Sequence, residues 1–166
     1  MHRDKIYLVG FVSAGKTTLA RALGPRLGWR VEDVDDRIEA AEQQTVAAVF
    51  ASRGEAYFRA VEREVLRGLL PARHVVVATG AGTFVDADSR AAINRDGVSI
   101  WLDVPFERLV ERLPADGRRP LAASRAEMEM LFVSRRRAYQ HAQLRLDAGD
   151  VPVGELVERV LDWLGF

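Results

Sequence analysis

The chain has 166 residues, 48% hydrophobic and 29% charged, the size and make-up of one soluble globular domain around a single core. Lys plus Arg equals Asp plus Glu at 24 each, so no global charge draws the protein to nucleic acid or to a membrane surface. Cysteine is absent, which excludes disulfides and thiolate metal sites. The start of the chain does not read as a signal peptide and no apolar run reaches the length of a membrane span, so the expectation is a cytoplasmic protein.

Short β-branched runs alternate with amphipathic segments, which predicts an α/β fold with a parallel sheet. Ile6-Tyr7-Leu8-Val9 reads as a buried strand ending at Gly10, and Thr17 to Leu27 carries Leu19, Leu23 and Leu27 at helical spacing. Trp29 to Asp33 reads as a second strand, followed by helical stretches from about Asp36 to Glu42, Val46 to Ser52 and Glu55 to Leu70. His74 to Ala78 is apolar enough for a central strand covered on both faces. Ser89 to Asn94 follows as a helix, Val98 to Val104 as a strand, and Phe106 to Leu113 and Ala126 to Ala142 as helices. Leu144 to Leu146 completes a set of five strands, and Val153 to Leu164 closes the chain as a helix. No repeat or linker divides it. The stretch 114–124 breaks the rhythm: it is rich in Gly, Pro and charge with no apolar period, and reads either as a surface loop or as a mobile lid carrying Arg118 and Arg119.

Gly10-Phe11-Val12-Ser13-Ala14-Gly15-Lys16-Thr17 matches G-x-x-x-x-G-K-[ST], with a strand before it and a helix after it. In that setting the backbone turns tightly enough for its N–H groups to converge on phosphate oxygens at a helix N-terminus. Gly10, Ser13, Ala14, Gly15, Lys16, Thr17 and Thr18 are therefore assigned to ATP. Lys16 reaches the β- and γ-phosphates, and the Thr17 hydroxyl ligates Mg²⁺.

Two features point to a small-molecule acceptor. Asp33 and Asp35, read at the end of the second strand, face the cleft at the carboxyl edge of the sheet. There, one carboxylate binds Mg²⁺ through water and the other orients an acceptor hydroxyl, or else both merely cap the helix that follows. Asp36 reads as a first-turn acid. Gly54-Glu55-x-x-Phe58-Arg59-x-x-Glu62 puts Arg59 and Glu62 one helical turn apart, where the pair is either a surface ion pair or a held guanidinium.

With these motifs in order, the chain resembles the shikimate kinase family from Lys5 to the last helix. The resemblance rests on the phosphate loop, Asp33-x-Asp35, the Gly54 to Glu62 pattern, Gly80-Ala81-Gly82, Arg119-Pro120-Leu121 and Arg135-x-x-x-Tyr139. It implies a P-loop, nucleoside-monophosphate-kinase-like three-layer fold of a five-stranded parallel sheet flanked by helices, with a mobile lid. One kinase domain would fill residues 1–166, with the phosphate loop at 10–17, an acceptor-binding segment at about 33–62 and the lid at about 113–124. The implied activity is transfer of the ATP γ-phosphate to the 3-hydroxyl of shikimate, on the route to chorismate and the aromatic amino acids. By the same resemblance Asp35 binds the ring hydroxyls and acts as base, and Arg59 and Arg135 clamp the carboxylate, a task suited to bidentate guanidinium. Gly80, Ala81 and Gly82 bring backbone amides to the ring, Asp33 sits in the outer shell of Mg²⁺, and Arg112 lies near the adenine. Lys16, Asp35 and Arg119 form the catalytic set, with Arg119 also on the ATP phosphates.

Ala81 stands where the family usually has a third glycine; if that position needs positive φ or near-contact with the substrate, a methyl group there costs affinity or shifts specificity. Arg119 is preferred over Arg118 because it precedes Pro-Leu, and Arg135 over Arg136 and Arg137 from its distance to Tyr139, the other two forming a solvated face. Two alternatives remain: a P-loop kinase of another carboxylate-bearing polyol such as gluconate, or a ligand-binding module without turnover. The default oligomeric state is a monomer.

Overall fold

The computed structural model describes residues 2–113 and 124–166. The segment assigned to the lid, with Arg118, Arg119, Pro120 and Leu121, lies outside the described residues.

Five strands form one parallel sheet in the order β2-β3-β1-β4-β5. They are β1 (Lys5–Val9), β2 (Arg30–Asp33), β3 (Val75–Ala78), β4 (Val98–Asp103) and β5 (Leu144–Asp147). β1, β3 and β4 are buried along their whole length, which is why they read as unbroken apolar runs rather than as alternating ones. After β1 the chain crosses to β2 on one side, and it later returns to β4 on the other. The carboxyl end of β1 is thus the switch point of the sheet, where a ligand crevice opens in folds of this kind.

The helices among the described residues are α1 (Lys16–Leu27), α2 (Val34–Glu42), α3 (Val46–Leu69), α4 (Ala87–Asp96), α5 (Phe106–Glu111), α6 (Arg125–Tyr139) and α7 (Val153–Leu164). α1 packs on α7 and against β3, and α2 packs on α3 beside β2. At Gly24 α1 comes so close to β2 that an added Cβ would lie 2.4 Å from a Val31 methyl.

One expectation changes. The second strand stops at Asp33, and Asp35 sits in the first turn of α2 rather than on a strand. The cause is local: Asp33 is the last extended residue, and its side chain accepts from the Asp36 amide at 3.1 Å, which starts the helix there. The two helical stretches expected from 46 to 70 are both present within α3 and meet at a kink at Gly54. There φ 84° and ψ 170° are open to little but glycine, so a single residue carries the kink between the two halves.

One group is out of place in an apolar strand. Lys5 is completely buried, and its ammonium pairs with Asp96 at 2.8 Å and donates to the Leu69 and Leu70 carbonyls at the end of α3. Tyr7 and Arg73 bond the same Asp96 carboxylate. These residues lie at the amino edge of the sheet, opposite the phosphate loop.

Candidate active site

The phosphate loop leaves β1 at Gly10 and enters α1 at Lys16, with Gly15 as the N-cap residue at φ 97°. No side chain caps α1, so the first turn of α1 turns its amides toward the loop's concavity. Ser13 also has positive φ, at 63°, an uncommon conformation for a residue with a Cβ and one that holds successive amides on the same side. Lys16 Nζ donates to the Gly10 and Phe11 carbonyls at 2.7 and 2.8 Å, which fixes the ammonium over the loop.

A cavity of about 530 Å³ opens here, bordered by the loop from Val12 to Thr18 and by Asp33, Asp35 and Ala81. Arg112 and the apolar side chains of Val151, Val153 and Leu156 also line it. Arg112 donates to the Gly149 carbonyl at 2.7 Å, so the guanidinium is held where α5 meets the turn after β5. Phosphates at the loop and a planar base at the apolar end fit this shape. The contribution of 148–153 is invisible in sequence, since a short Gly- and Pro-containing connection carries no signal beyond lying at a strand's carboxyl end.

Asp33 serves two purposes that look like alternatives in the sequence. One oxygen caps α2 while the other accepts from Thr17 Oγ1 at 2.6 Å. A hydroxyl and one carboxylate beside a phosphate cradle suit Mg²⁺, which takes few protein ligands and shares its shell with phosphate and water. Among the described residues no cluster of three acidic or imidazole groups makes a self-sufficient metal cage. The donor set fits a metal that arrives with its nucleotide.

Asp35 lines the same cavity, within electrostatic reach of Lys16. Burial, reinforced by the nearby Asp33 charge, pushes its carboxyl up to about 6. It is therefore ionised at neutral pH yet more basic than an ordinary aspartate.

Beyond Asp35 lies the acceptor wall. Arg59 donates to Glu62 at 2.9 Å, and Glu62 is itself buried, so this is not an exposed surface pair. Arg59 also lies 3.6 Å from Glu55 and over the rings of Phe50 and Phe58 at 5.9 and 5.3 Å. Arg135 is buried on α6, its guanidinium 5.9 Å from the ring centre of Phe11 in the phosphate loop. Burial pulls its pKa down from the usual arginine value, and the neighbouring Arg59 charge adds to the effect. Two guanidinium groups near enough to repel each other, with one carboxylate close by, form a wall suited to an anion. Of the other two candidates, Arg137 is exposed. Arg136 departs from the expected solvated face: it pairs with Asp103 at 2.7 Å and lies over Trp101 at 4.9 Å, because β4 presents a buried carboxylate there.

The turn Gly80-Ala81-Gly82 joins these parts. None of its three residues has positive φ, so the methyl of Ala81 brings no backbone strain. The flanking glycines are needed for closeness instead. A Cβ on Gly80 would lie 2.8 Å from Glu62 Oε2 and 3.1 Å from Asp35 Oδ1. One on Gly82 would lie 2.3 Å from Arg59 Nη1. Asp35, Glu62 and Arg59 therefore converge on this turn, and Tyr139 of α6 donates to the Ala81 carbonyl at 2.6 Å. One expectation needs revision: the Gly80 amide does not face the cleft, because it donates to Thr83 Oγ1 at 3.0 Å.

Comparison with known proteins agrees with this geometry. A family model described as shikimate kinase matches residues 12–165. A shikimate kinase of Persephonella marina is 35% identical over 157 residues, which cover 94% of this chain and 96% of that protein. One of Caulobacter vibrioides is 38% identical over 159 residues, covering 94% and 80%. Among solved structures, the shikimate kinase from Acinetobacter baumannii in complex with shikimate matches with a TM-score of 0.93 at 30% identity, over 98% of this chain and 93% of that one.

Proposed function

The chain belongs to the shikimate kinase family, and from that premise we propose that it transfers the γ-phosphoryl group of ATP to the 3-hydroxyl of shikimate, releasing ADP and shikimate 3-phosphate. The observation that carries this reading is the convergence of Asp35, Glu62 and Arg59 on the Gly80 to Gly82 turn, beside the cavity that holds Lys16.

Phosphoryl transfer asks little covalent chemistry of the protein, so position and charge do the catalysis. The acceptor carboxylate sits between Arg59 and Arg135, which fixes one end of the ring. Asp35 accepts a hydrogen bond from the attacking hydroxyl and takes its proton as the oxygen bonds to the γ-phosphorus. The bond from that phosphorus to the bridging oxygen breaks, and the charge left on ADP is met by Lys16 and the loop amides. Mg²⁺, when bound with the nucleotide, supplies further positive charge across the phosphates. Thr17 would hold it, with Asp33 beside it acting through water, an assignment supported by their mutual hydrogen bond. Arg119, within its Arg-Pro-Leu pattern, is assigned to the charge on the transferring phosphate. Arg112 is assigned to the adenine end, as its place on the cavity wall supports.

The protein acts as a single-domain monomer in the cytoplasm, with ATP and its acceptor as partners rather than nucleic acid or membrane. No described helix is long and apolar enough to cross a membrane.

A coupled assay of ADP release with shikimate, and separately with gluconate, tests the reading. ADP formed with shikimate alone is the expected result. Release with gluconate alone moves the acceptor to another polyol acid, and ATP binding without release under either condition leaves a ligand-binding module.

A further inference from the structure

The acceptor wall contains a buried hydroxyl to which neither the motifs nor the mechanism gives a role. Thr83 follows the Gly80 to Gly82 turn directly and is 1% exposed. Its Oγ1 lies 3.0 Å from the Gly80 amide and 3.0 Å from Glu62 Oε2. The direction of both bonds is forced. An amide only donates and an ionised carboxylate only accepts, so the hydroxyl accepts from Gly80 and gives its single proton to Glu62. The other oxygen of Glu62 accepts from Arg59 at 2.9 Å. A chain of three hydrogen bonds therefore runs from the Gly80 amide, through Thr83 and Glu62, to the guanidinium.

We propose that Thr83 is a positioning residue for acceptor binding: its hydroxyl locks Glu62 in the rotamer that presents Arg59 to the acceptor carboxylate and ties that rotamer to the Gly80 to Gly82 turn. The proposal deepens the shikimate kinase reading and rests on it, since it acts through Arg59.

Three observations favour positioning over simple burial. Glu62 is nearly inaccessible, with 4% of its side chain exposed, so no bulk water replaces a lost partner on its second oxygen. The space for Glu62 is set by the turn, because Gly80 lacks the Cβ that would lie 2.8 Å from that oxygen. The turn is held from the other side by Tyr139, whose hydroxyl donates to the Ala81 carbonyl at 2.6 Å and which lies one helical turn after Arg135 on α6. The two arginines of the clamp, on separate helices, thus share the short turn as their common reference. Removing the Thr83 hydroxyl leaves two buried polar groups without their partner and cuts the link between the turn and Arg59.

The test compares Thr83→Val, Thr83→Ala and Thr83→Ser in steady-state kinetics with ATP and shikimate, with Arg59→Lys beside them. Val keeps the shape and loses the hydroxyl, whereas Ser keeps the hydroxyl and loses a methyl. Thr83→Val and Thr83→Ala are expected to raise KM for shikimate about tenfold or more while leaving KM for ATP within about twofold, and Thr83→Ser to stay within about threefold of the parent on both. Arg59→Lys is expected to raise KM for shikimate at least as far, since an ammonium cannot form the paired bonds. If Thr83→Val does not fold, the comparison of Ala with Ser carries the same decision. The proposal is overturned if Val and Ala leave KM for shikimate unmoved, if they raise both KM values together, or if Ser is as impaired as they are. An unmoved KM for shikimate in Arg59→Lys overturns the clamp itself and the proposal with it, whereas a raised KM there beside unmoved Thr83 variants overturns the Thr83 proposal alone.

Discussion

Asp35 is built to work as a base at a cost to the fold. Its carboxyl, raised to about 6 by burial and then by Asp33, must be ionised to accept the acceptor's proton. With saturating ATP, kcat/KM for shikimate should therefore fall about tenfold per pH unit below about pH 6, and a profile flat down to pH 5 would remove Asp35 from the chemistry. The same shift has a stability consequence of definite sign. The folded-state value lies above the ordinary 3.8, so the protonated form is favoured by folding. That contribution is complete below 3.8 and is lost as pH rises through about 6. Above it, the buried charge costs up to roughly 3 kcal/mol. Asp35→Asn should then lower turnover by orders of magnitude while raising Tm at pH 8 more than at pH 5. An equal change in Tm at both pH values contradicts the titration.

Which parts of this were legible from residues alone follows from how local each signal is. Lys16 and Thr17 were legible because their motif carries its own backbone geometry. Asp33 was legible as a cap and as a metal-side carboxylate, but only coordinates reveal that its two oxygens do both at once. The burial of Arg135 and the pairing of Arg136 with Asp103 were not, since three consecutive arginines differ only in which side of α6 meets the core. Thr83 left no trace either, because its partners Gly80 and Glu62 come together only through tertiary contact.

At the scale of elements, α3 shows how the fold delivers its acceptor side chains. Its N-terminus is capped by Thr45, which accepts from the Ala48 amide at 3.1 Å, and its course changes at Gly54. The expected break between two helical stretches falls at Gly54, where one glycine absorbs it. Gly54→Ala should therefore destabilise the protein by about 1–3 kcal/mol despite alanine's better helix propensity, because φ of 84° strains any residue with a Cβ. Urea unfolding measures this, and an unchanged midpoint would show that the break relaxes freely. No added Cβ contact occurs within 4 Å at that position, so any loss reports backbone strain rather than a clash.

Across the whole molecule, the two edges of the sheet divide labour. The carboxyl edge holds the reactive groups, and the amino edge holds the Lys5, Asp96, Tyr7 and Arg73 network. Lys5 bonds the last carbonyls of α3, at the end of the same stretch after Gly54 that carries Arg59. Lys5→Met leaves a carboxylate and two carbonyls without their shared partner and should cost about 3 kcal/mol of stability. Kinetic constants at 25 °C should stay within about twofold of the parent, because the change lies at the opposite edge from the chemistry. A raised KM for shikimate in that variant would mean that the helix end and Arg59 are mechanically connected.

The burial of Lys5 has a practical corollary, since Lys5 and Lys16 are the only lysines in the chain. An acylating reagent offered to the native protein finds one side-chain amine within reach, and it is the one in the phosphate loop. Mass spectrometry of such a reaction should show a single lysine adduct besides the α-amine, at Lys16, suppressed by MgATP and not by shikimate alone. The arginine-rich surface thereby lets an ordinary amine label read nucleotide occupancy without mutagenesis.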